Sequence, residues 1–482
     1  MGAAVRFLLG GEERVLTGAS PTLTVLEYLR RHERRTGTKE GCAEGDCGAC
    51  TVVLAELDGA GGLKHRAVNS CIQFVPVLHG RQLITVEDLA TNGSLHPVQQ
   101  ALVDEHGSQC GFCTPGFVMQ LYAGWLEGRL TDRQGVKDWL AGNLCRCTGY
   151  GPIVDAGLQA GRAEPPDTAD LARTAERLAA IDDGGMLHVV HGGQQVFQPR
   201  SADALAEVYA AHADAVLVAG ATDVGLWVTK QHRRLSTLID LTRVADLAVL
   251  DDAEEGLTIG ATVSHRDATA ALSRLHPDIG EMMRRFASIQ IRNAGTVGGN
   301  IANGSPIGDL PPVLIALDAR LTLRRGPERR EIPLEDFFIG YGKQDRAPGE
   351  FVESVYAPRL HPEMRFACYK LSKRFDQDIS AVMGAFRVTL SGDMVIGARI
   401  AFGGMAATPK RAPATEAALA GARFDEIAFE RAASALPEDF SPITDMRASA
   451  AYRLRAAQNL LRRFHAENRS PKRPATRVLE LA

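Results

Sequence analysis

Alternating apolar and polar residues dominate the first eighty positions and predict a small mixed sheet. Val5–Leu9 and Arg14–Thr17 flank a Gly10-Gly11 turn as one hairpin. Val52–Leu57 and Leu63–Val68 flank the turn sequence DGAGG as a second hairpin. A stretch between the two hairpins has apolar residues at helical spacing, so the region is predicted to contain one helix as well.

The next eighty residues have a different pattern, in which apolar residues recur three or four positions apart. Helix starts are predicted at Pro97, Thr114-Pro115, Thr131 and Pro152, because proline suits the first turn of a helix and threonine suits its cap. Four short amphipathic helices of this kind predict a small helical bundle.

The remaining chain divides by composition. Residues 161–182 are rich in proline, alanine and charge, and they predict a linker with one or two helical turns. Strands then alternate with helices and glycine-rich loops up to about Arg359, and a second α+β region follows. The predicted fold is therefore multidomain α+β. Its predicted parts are a sheet domain at 1–80, a helical domain at 81–160, a linker at 161–185, an α/β domain at 186–359, a C-terminal α+β domain at 360–470 and a tail at 471–482.

Bulk properties narrow the function. A chain of 482 residues has room for about three or four domains. Its net charge is −4 and it has no long basic run, which argues against nucleic acid as a partner. It also has no apolar run of about 18 residues that would suit a membrane span. Eight of its nine cysteines precede residue 148, and no signal peptide is recognisable, so a metal role in a reducing, cytoplasmic compartment is expected.

Three cysteines of the first set, Cys42, Cys47 and Cys50, lie in a glycine-rich stretch, and the fourth, Cys71, follows further along the chain. The C-x4-C-x2-C spacing with a fourth cysteine downstream is that of plant-type [2Fe–2S] clusters. Gly41, Gly45 and Gly48 allow the loop to curl, so that backbone N–H groups can approach the sulfurs. A structural zinc site is the main alternative, although zinc sites usually use two short knuckles. A disulfide framework is a weaker alternative.

The second cysteine set comes in two pairs at the ends of predicted helices, namely Cys110 and Cys113, then Cys145 and Cys147. The first pair alone resembles a thioredoxin-like redox motif, but it has no βαβ context. The two pairs together suit either zinc or a second Fe–S cluster. The neighbouring first set favours the cluster, because an electron-transfer chain needs a further site.

Three segments together, GCAEGDCGAC, QCGFCTPG and NLCRCTGY, resemble the two-cluster iron–sulfur module of the molybdenum hydroxylases. That family includes xanthine dehydrogenase, aldehyde oxidase and carbon monoxide dehydrogenase. The resemblance covers residues 1–160. It implies a β-grasp ferredoxin-like domain followed by a four-helix-bundle domain, each with one [2Fe–2S] cluster. Cys368 lies outside it and is interpreted as a buried core cysteine.

Two glycine-rich segments mark the α/β region. LVAGATDVG, residues 217–225, is a strand that runs into a loop able to present backbone N–H groups to a pyrophosphate. NAGTVGGNIANGSPIGD, residues 293–309, has five glycines and three asparagines, which suits close approach to a second phosphate. The alternatives are a plain strand–turn–helix corner for the first and a mobile surface loop for the second. Neither matches the Rossmann fingerprint.

Both segments, in this order, resemble the FAD domain of the same family, and the resemblance extends through residues 187–465. It implies a two-part α/β FAD-binding domain of the xanthine dehydrogenase/vanillyl-alcohol-oxidase-like type. The resemblance implies that Phe286 lies beside the isoalloxazine, and the alternative is an ordinary core aromatic. It implies that Tyr341 lies beside the nicotinamide, and the alternative is a buried sheet tyrosine. The implied FAD-site residues are Leu217, Val218, Ala219, Gly220, Ala221, Thr222, Asp223, Val224, Gly225, Phe286, Thr296, Gly299, Asn300, Asp309, Tyr341, Val352 and Lys370.

The resemblance also implies an activity. It implies an electron-transfer subunit of an NAD-dependent xanthine dehydrogenase, in which electrons pass from a molybdenum centre through two clusters and FAD to NAD+ while hypoxanthine and xanthine are oxidised to urate. The molybdopterin, and every catalytic residue for substrate hydroxylation, would lie on a separate large subunit of an (αβ)2 heterotetramer. The alternatives are a molybdenum hydroxylase for an aldehyde, CO or another N-heterocycle, a stand-alone NADH-dependent iron–sulfur flavoprotein reductase, or a zinc-binding scaffold.

Overall fold

The computed structural model describes residues 4–470 and 476–477, and its chain divides into two units. The first unit contains Met1–Asp246, Ser264–Arg266 and Ala287–Thr296. The second unit contains Leu247–Val263, Asp267–Phe286 and Val297–Ala482. The predicted α/β domain at 186–359 is therefore shared between the two units.

The first unit opens with a five-stranded sheet in the order β2-β1-β5-β3-β4. Its strands are β1 (Val5–Leu9), β2 (Glu12–Leu16), β3 (Thr51–Leu57), β4 (Leu63–Asn69) and β5 (Gln82–Ile84). Helix α1 (Val25–Glu27), capped by Thr24, continues as the π-helical turn Tyr28–His32. Strands β1 and β5 are parallel and the other pairs are antiparallel. This is the predicted β-grasp arrangement, with both predicted hairpins present.

Four helices follow, as the sequence predicts, and they are α2 (Pro97–Asp104), α3 (Thr114–Leu126), α4 (Arg133–Leu140) and α5 (Gly151–Ala160). Their shared core includes Phe117, Leu121, Trp139 and Ile153, which are almost completely buried. Asp132, and not the predicted Thr131, caps α4 by accepting a hydrogen bond from the backbone N–H of Gly135.

The segment 161–185, predicted as a linker with one or two helical turns, contains a longer helix than predicted. Helix α6 (Thr168–Ile181) runs for nearly four turns, and its cap is Asp167. Leu178 and Ile181 are buried against Leu8 of the first sheet. The helix has few apolar residues among many alanines and charged residues, so its composition resembles that of a linker. Burial of this narrow apolar stripe stabilises a helix whose intrinsic propensity alone would be marginal.

The first unit also contains a four-stranded sheet in the order β6-β7-β9-β8. Its elements are β6 (Leu187–His191), β7 (Gln194–Gln198), α7 (Ala202–Ala211), β8 (Val216–Val218), α8 (Val224–Thr229) and β9 (Thr237–Asp240). Strands β7 and β8 both run parallel to β9, so the chain leaves β8 at the edge where parallel strands end.

The second unit contains a five-stranded antiparallel sheet in the order β10-β11-β16-β12-β13 and a four-stranded antiparallel sheet in the order β17-β18-β19-β20. A two-stranded ribbon joins β14 and β15. The strands are β10 (Leu250–Asp252), β11 (Gly256–Gly260), β12 (Arg320–Arg325), β13 (Glu328–Pro333), β14 (Phe338–Gly340), β15 (Lys343–Gln344), β16 (Phe351–Pro358), β17 (Met364–Leu371), β18 (Val382–Ser391), β19 (Met394–Gly403) and β20 (Lys410–Arg411).

Helices accompany these strands along the chain. They are α9 (His265–Leu275), α10 (Pro277–Arg285), α11 (Ile289–Ala294), α12 (Val297–Asn303), α13 (Leu310–Ala316), α14 (Pro413–Leu419), α15 (Glu426–Asp439) and α16 (Ala450–Asn468). Helix α11 belongs to the first unit. Cys368 is buried in the core of the second unit, as predicted.

The predicted tail lies largely outside the described residues, which include only 476–477 of its length. Within that part, the Arg477 guanidinium pairs with both carboxylate oxygens of Asp278, at 2.6 and 2.7 Å. In the described part of the chain, no helix has both the length and the apolar character needed to cross a bilayer.

Candidate metal centres and flavin site

The first cysteine set is gathered by a curled loop that leads into β3 and by the end of β4. The backbone N–H groups of Asp46 and Cys47 donate to the Cys42 sulfur at 3.3 and 3.4 Å. The Cys42 thiol also contacts those of Cys47 and Cys71, and Cys71 contacts Cys50. Gly45 and Gly48 have φ values of +80° and +70°, which side chains rarely adopt, so the curl depends on glycine. All four thiols are thus within mutual reach.

Shared protons set the ionisation of these thiols. Hydrogen bonds from Cys47 and then Cys71 lower the pKa of Cys42 far below its usual range. The hydrogen bond with Cys71 likewise lowers the pKa of the buried Cys50 thiol. The partners respond in the opposite direction, since the pKa values of Cys47 and Cys71 are raised by the same hydrogen bonds. Four thiolates in so small a volume need a cationic core, which an iron–sulfur cluster supplies.

The second cysteine set joins the start of α3 to the loop between α4 and α5. Cys113 is the N-terminal cap residue of α3 and contacts Cys145, while Cys110 contacts Cys147. Cys110 and Cys147 are exposed, whereas Cys113 and Cys145 are half-buried. The backbone N–H of Thr148 donates to the Cys145 sulfur at 3.4 Å, and the Thr148 hydroxyl lies 3.1 Å from it. The two predicted pairs therefore meet, as their sequence positions suggest.

The thiols of the second set also divide into two with lowered and two with raised pKa values. Backbone N–H donation at Phe112 and the contact with Cys147 lower the pKa of Cys110, and that contact raises the pKa of Cys147. Burial raises the pKa of Cys113 to about 12. Burial opposes ionisation of Cys145 too, but hydrogen bonds at Thr148 outweigh it, and its pKa is lowered.

The two sets fit binuclear clusters by their donor chemistry. Each presents four thiols in pairwise contact, and each has backbone N–H groups directed at a sulfur, which is the environment that cluster thiolates need. Across residues 4–470 and 476–477, no group of three or more His, Cys, Asp or Glu side chains is arranged to hold a single metal ion.

A buried polar cluster connects the two cysteine loops, and sequence reasoning misses it. The Gln290 amide on α11 donates from Nε2 to Asn143 Oδ1 at 2.8 Å and to Thr51 Oγ1 at 3.1 Å. Asn143 Nδ2 and the Thr51 hydroxyl both donate to the Gly48 carbonyl, at 3.1 and 2.6 Å. The side chains of Gln290, Asn143 and Thr51 are at most 3% exposed. Asn143 precedes the second cysteine pair by two positions, which is the only local signal the sequence offers.

The predicted pyrophosphate segment, 217–225, passes from β8 into α8 within the first unit. A side chain at Gly220 would place its Cβ 2.0 Å from the Ala294 carbonyl oxygen, so only glycine fits there. Gln73 Nε2 donates to the Gly220 carbonyl at 3.0 Å, which fixes the loop against the ferredoxin-like domain. Thr296, also in this unit, forms an isolated β-bridge with Ser264. The loop is thus tight and preorganised, as a phosphate-binding turn requires.

The other predicted FAD residues lie in the second unit. Phe286 ends α10 and is half-buried, and Val352 of β16 is buried. Gly299 and Asn300 lie on α12. Among the described residues, Asn300 Oδ1 is a buried side-chain oxygen with no hydrogen-bond partner, as expected of an atom that awaits a ligand. Tyr341 is 80% exposed, so the alternative of a buried sheet tyrosine is wrong.

Asp309 and Lys370 are brought together in the second unit. Lys370 Nζ lies 2.6 Å from Asp309 Oδ2 and donates to Ser380 Oγ at 2.9 Å. The Ser380 hydroxyl donates to Asp309 Oδ1 at 2.5 Å, and all three residues are at most 6% exposed. The Lys370 carbonyl in turn accepts from Arg285 at 3.1 Å, next to Phe286. Two of the predicted FAD residues thus form a desolvated ion pair.

Family models match nearly the whole length of the chain. The model of the 2Fe-2S iron-sulfur cluster binding domain matches residues 7–75, and that of the [2Fe-2S] binding domain matches 85–158. The FAD binding domain in molybdopterin dehydrogenase matches 191–360, and the CO dehydrogenase flavoprotein C-terminal domain matches 367–468. The chain belongs to the molybdenum hydroxylases, as their iron–sulfur and FAD region. It accordingly carries [2Fe–2S] and FAD as cofactors and has an electron-transfer role, as predicted.

Curated relatives of this molybdenum hydroxylase region include xanthine dehydrogenases. The protein from Drosophila subobscura is 34% identical over 489 residues, and the alignment covers 89% of this chain and 36% of the relative. The protein from Emericella nidulans is 32% identical over 497 residues, covering 91% of this chain and again 36% of the relative. The chain therefore spans about a third of the length of these relatives.

Solved structures show the same fold over part of the chain. A chain of carbon monoxide dehydrogenase from Hydrogenophaga pseudoflava, in a form that lacks the Mo-pyranopterin moiety of its cofactor, superposes with a TM-score of 0.53 at 28% identity. The match covers 56% of this chain and 94% of that one. A chain of quinoline 2-oxidoreductase from Pseudomonas putida 86 gives a TM-score of 0.51 at 25% identity, covering 56% of this chain and 94% of that one.

Proposed function

We propose that this chain is the electron-transfer part of a xanthine dehydrogenase, which passes electrons from a molybdenum centre to NAD+. One observation carries the proposal. Alignments with xanthine dehydrogenases run through 89% and 91% of this chain, whereas the carbon monoxide dehydrogenase chain matches 56% of it. Two cluster domains and a flavin domain in one polypeptide are thus shared with the former group.

The proposed roles of the residues follow from their contacts. Each cysteine set holds one [2Fe–2S] cluster, with Cys42, Cys47, Cys50 and Cys71 in the first and Cys110, Cys113, Cys145 and Cys147 in the second. The segment 217–225 cradles the FAD pyrophosphate with its backbone, and Asn300 supplies a buried oxygen acceptor. When bound, these groups supply one- and two-electron redox chemistry. The chain's task is to hold them, to tune them and to control access.

The partners belong to the same proposal. The matched carbon monoxide dehydrogenase chain is covered over 94% of its length, which supports a flavin-containing chain that works beside a separate molybdopterin subunit. Substrate hydroxylation and its catalytic residues then lie on that partner, and the assembly is an (αβ)2 heterotetramer. A reducing cytoplasmic location is part of the proposal, because eight ligand thiols must stay reduced.

The deciding experiment is co-expression with the molybdopterin subunit of the same host. Iron, FAD and molybdenum are measured in the purified complex, and xanthine-dependent NAD+ reduction is then assayed. Cys47→Ser is expected to remove one cluster signal from the electron paramagnetic resonance spectrum and to abolish turnover. The matched control is Cys368→Ala, which changes a buried cysteine outside both sets and is expected to retain both signals.

Other results would redirect the proposal. Turnover of an aldehyde or of quinoline without turnover of xanthine would assign the complex to another branch of the family. Full activity of Cys47→Ser, or copurification of no molybdopterin subunit, would contradict it.

Tyr341 offers a separate test of the NAD+ assignment, because its ring is exposed on the ribbon β14–β15. Tyr341→Ala is expected to raise the KM for NAD+ without changing turnover with an artificial electron acceptor. Tyr452→Ala, at a 53% exposed tyrosine on α16, is the matched control. An unchanged KM in Tyr341→Ala would remove Tyr341 from the nicotinamide site.

A further inference from the structure

The buried polar cluster of Gln290, Asn143, Thr51 and the Gly48 carbonyl, here called the amide hub, joins three separate stretches of chain. Gly48 lies between Cys47 and Cys50 in the first cysteine loop, and Asn143 lies just before Cys145 in the second. Gln290 reaches both from α11, more than a hundred residues later, with its Nε2 donating to Asn143 and to Thr51. One amide nitrogen thus ties the two cysteine loops together.

A direct backbone contact beside the hub links the same loops. The backbone N–H of Leu144 donates to the carbonyl oxygen of Cys47 at 3.0 Å. Because Leu144 is followed by Cys145, this hydrogen bond is the only non-covalent step in a chain of bonds from the Cys47 sulfur to the Cys145 sulfur. It is a short connection between one predicted ligand of each cluster.

Close packing leaves the loops no room to slide. A Cβ at Gly48 would lie 2.5 Å from the Gly142 carbonyl oxygen, and one at Gly116 would lie 2.2 Å from the Gly48 carbonyl oxygen. A Cβ at Gly142 would lie 2.5 Å from Gln290 Oε1. The glycines allow the loops to touch, and the hub amides fix the register at which they do so.

We propose that Gln290 is a positioning residue that fixes the separation of the two iron–sulfur clusters through the amide hub. The inference rests on the proposed function, in that it takes both cysteine sets to be occupied. Each transfer oxidises one cluster by one electron and reduces the other by one, and no bond is made or broken at the hub. Because electron tunnelling falls steeply with distance, a fixed loop register sets the rate of this transfer.

The test uses the holoenzyme with Gln290→Met, which keeps the length of the side chain and removes both donated hydrogen bonds. The matched control is Gln120→Met, because Gln120 is equally buried and its Nε2 donates only to the Trp139 carbonyl, within the helical domain. Iron, FAD and molybdenum contents are measured first. The magnetic interaction between the two reduced clusters is then read from the splitting of their paramagnetic resonance signals at low temperature.

Gln290→Met is expected to keep both clusters and to lose or narrow the splitting, which depends on the inverse cube of the distance between spins. Electron transfer to the flavin after rapid mixing with xanthine is expected to slow, whereas kcat/KM for xanthine, which reports the steps before this transfer, stays unchanged. Gln120→Met should behave as the unmodified enzyme. If Gln290→Met does not accumulate as folded protein, Thr51→Val is tested in its place. This variant removes one of the two acceptors of the Gln290 amide and is also expected to narrow the splitting.

An unchanged splitting and an unchanged transfer rate in Gln290→Met, or equal effects in Gln120→Met, would overturn the inference and leave Gln290 a packing residue. An unmodified enzyme that shows fewer than two cluster signals would instead refute the proposed function. The two failures are therefore distinguishable.

Discussion

The buried ion pair between Lys370 and Asp309 allows a quantitative test of how the second unit is stabilised. Lys370→Met removes the ammonium and keeps the apolar stem, so the Asp309 carboxylate keeps only the hydrogen bond from Ser380. The Lys370 and Asp309 side chains are only 2% and 3% exposed, so water cannot replace the lost partner. The free energy of unfolding is expected to fall by about 3–5 kcal/mol, which is the cost of leaving a buried charge unpaired.

That loss translates into a large change in melting temperature. A unit of about two hundred residues loses about 2–4 °C per kcal/mol, so the melting transition is expected to move down by about 6–20 °C. Asp309→Asn added to Lys370→Met removes the stranded charge, and this double variant is expected to recover most of the loss. Lys373→Met, at an exposed lysine whose ammonium reaches only the Met446 carbonyl, should stay within about 0.5 kcal/mol of the unmodified protein.

Thermal unfolding followed by circular dichroism, together with release of flavin fluorescence, gives both the stability and the retention of FAD. The double-mutant cycle separates the pair from other effects of each substitution. A melting temperature of Lys370→Met within a degree of that of the unmodified protein would contradict this expectation. A double variant no more stable than Lys370→Met would contradict it as well.

Two further outcomes follow from the first unit. Gly220→Ala would place its Cβ 2.0 Å from the Ala294 carbonyl oxygen, so it is expected to lower the free energy of unfolding by about 1–3 kcal/mol and to lower the FAD content with the iron content unchanged. The control Gly11→Ala, which has open space around it, should change neither quantity. A normal FAD content in Gly220→Ala would contradict this prediction. Burial alone would raise the pKa of Glu56, but the positive charges of Arg81 and Arg66, which both contact its carboxylate, outweigh the effect of burial and lower the pKa to about 2. The ionised Glu56 therefore stabilises the fold at pH values above its ordinary pKa of 4.5, and this contribution is lost as the pH falls through about 2. Glu56→Gln should lower the free energy of unfolding at neutral pH by about 3 kcal/mol and make stability less dependent on pH between 2 and 4.5. An unchanged midpoint of urea unfolding at pH 7 would refute this prediction.

Local patterns were sufficient to predict much of the fold. The two hairpins follow from period-two alternation with turn glycines, and the helix starts at Pro97 and Thr114-Pro115 follow from the position of proline. The helix Thr168–Ile181 could not be predicted in this way. Its buried residues are only Ala175, Leu178 and Ile181. Three apolar positions are too few to predict a helix from the sequence, and they stabilise it only because the sheet covers them.

The candidate sites also differ in how far the sequence predicts them. The spacing of the cysteines predicts that their thiols meet, because cluster ligands on short loops are close in sequence. The amide hub and the Lys370–Asp309 pair join residues that are distant in sequence, and no local pattern marks either. Only the folded chain brings such groups into contact. The FAD residues stay predictions, supported by the tight turn at Gly220 and the unsatisfied oxygen of Asn300.

The short segment Ala287–Thr296 interrupts the second unit and belongs to the first. Its Ile289 is buried in the core of the helical domain, and its Asn293 donates to the Ala67 carbonyl of the ferredoxin-like sheet at 2.8 Å. A fragment cut after Asp246 would therefore leave an iron–sulfur part with a gap in its own core. Swapping the flavin region between homologues would likewise replace part of that core, so chimaeras need this segment matched to the iron–sulfur sequence and not to the flavin sequence that surrounds it.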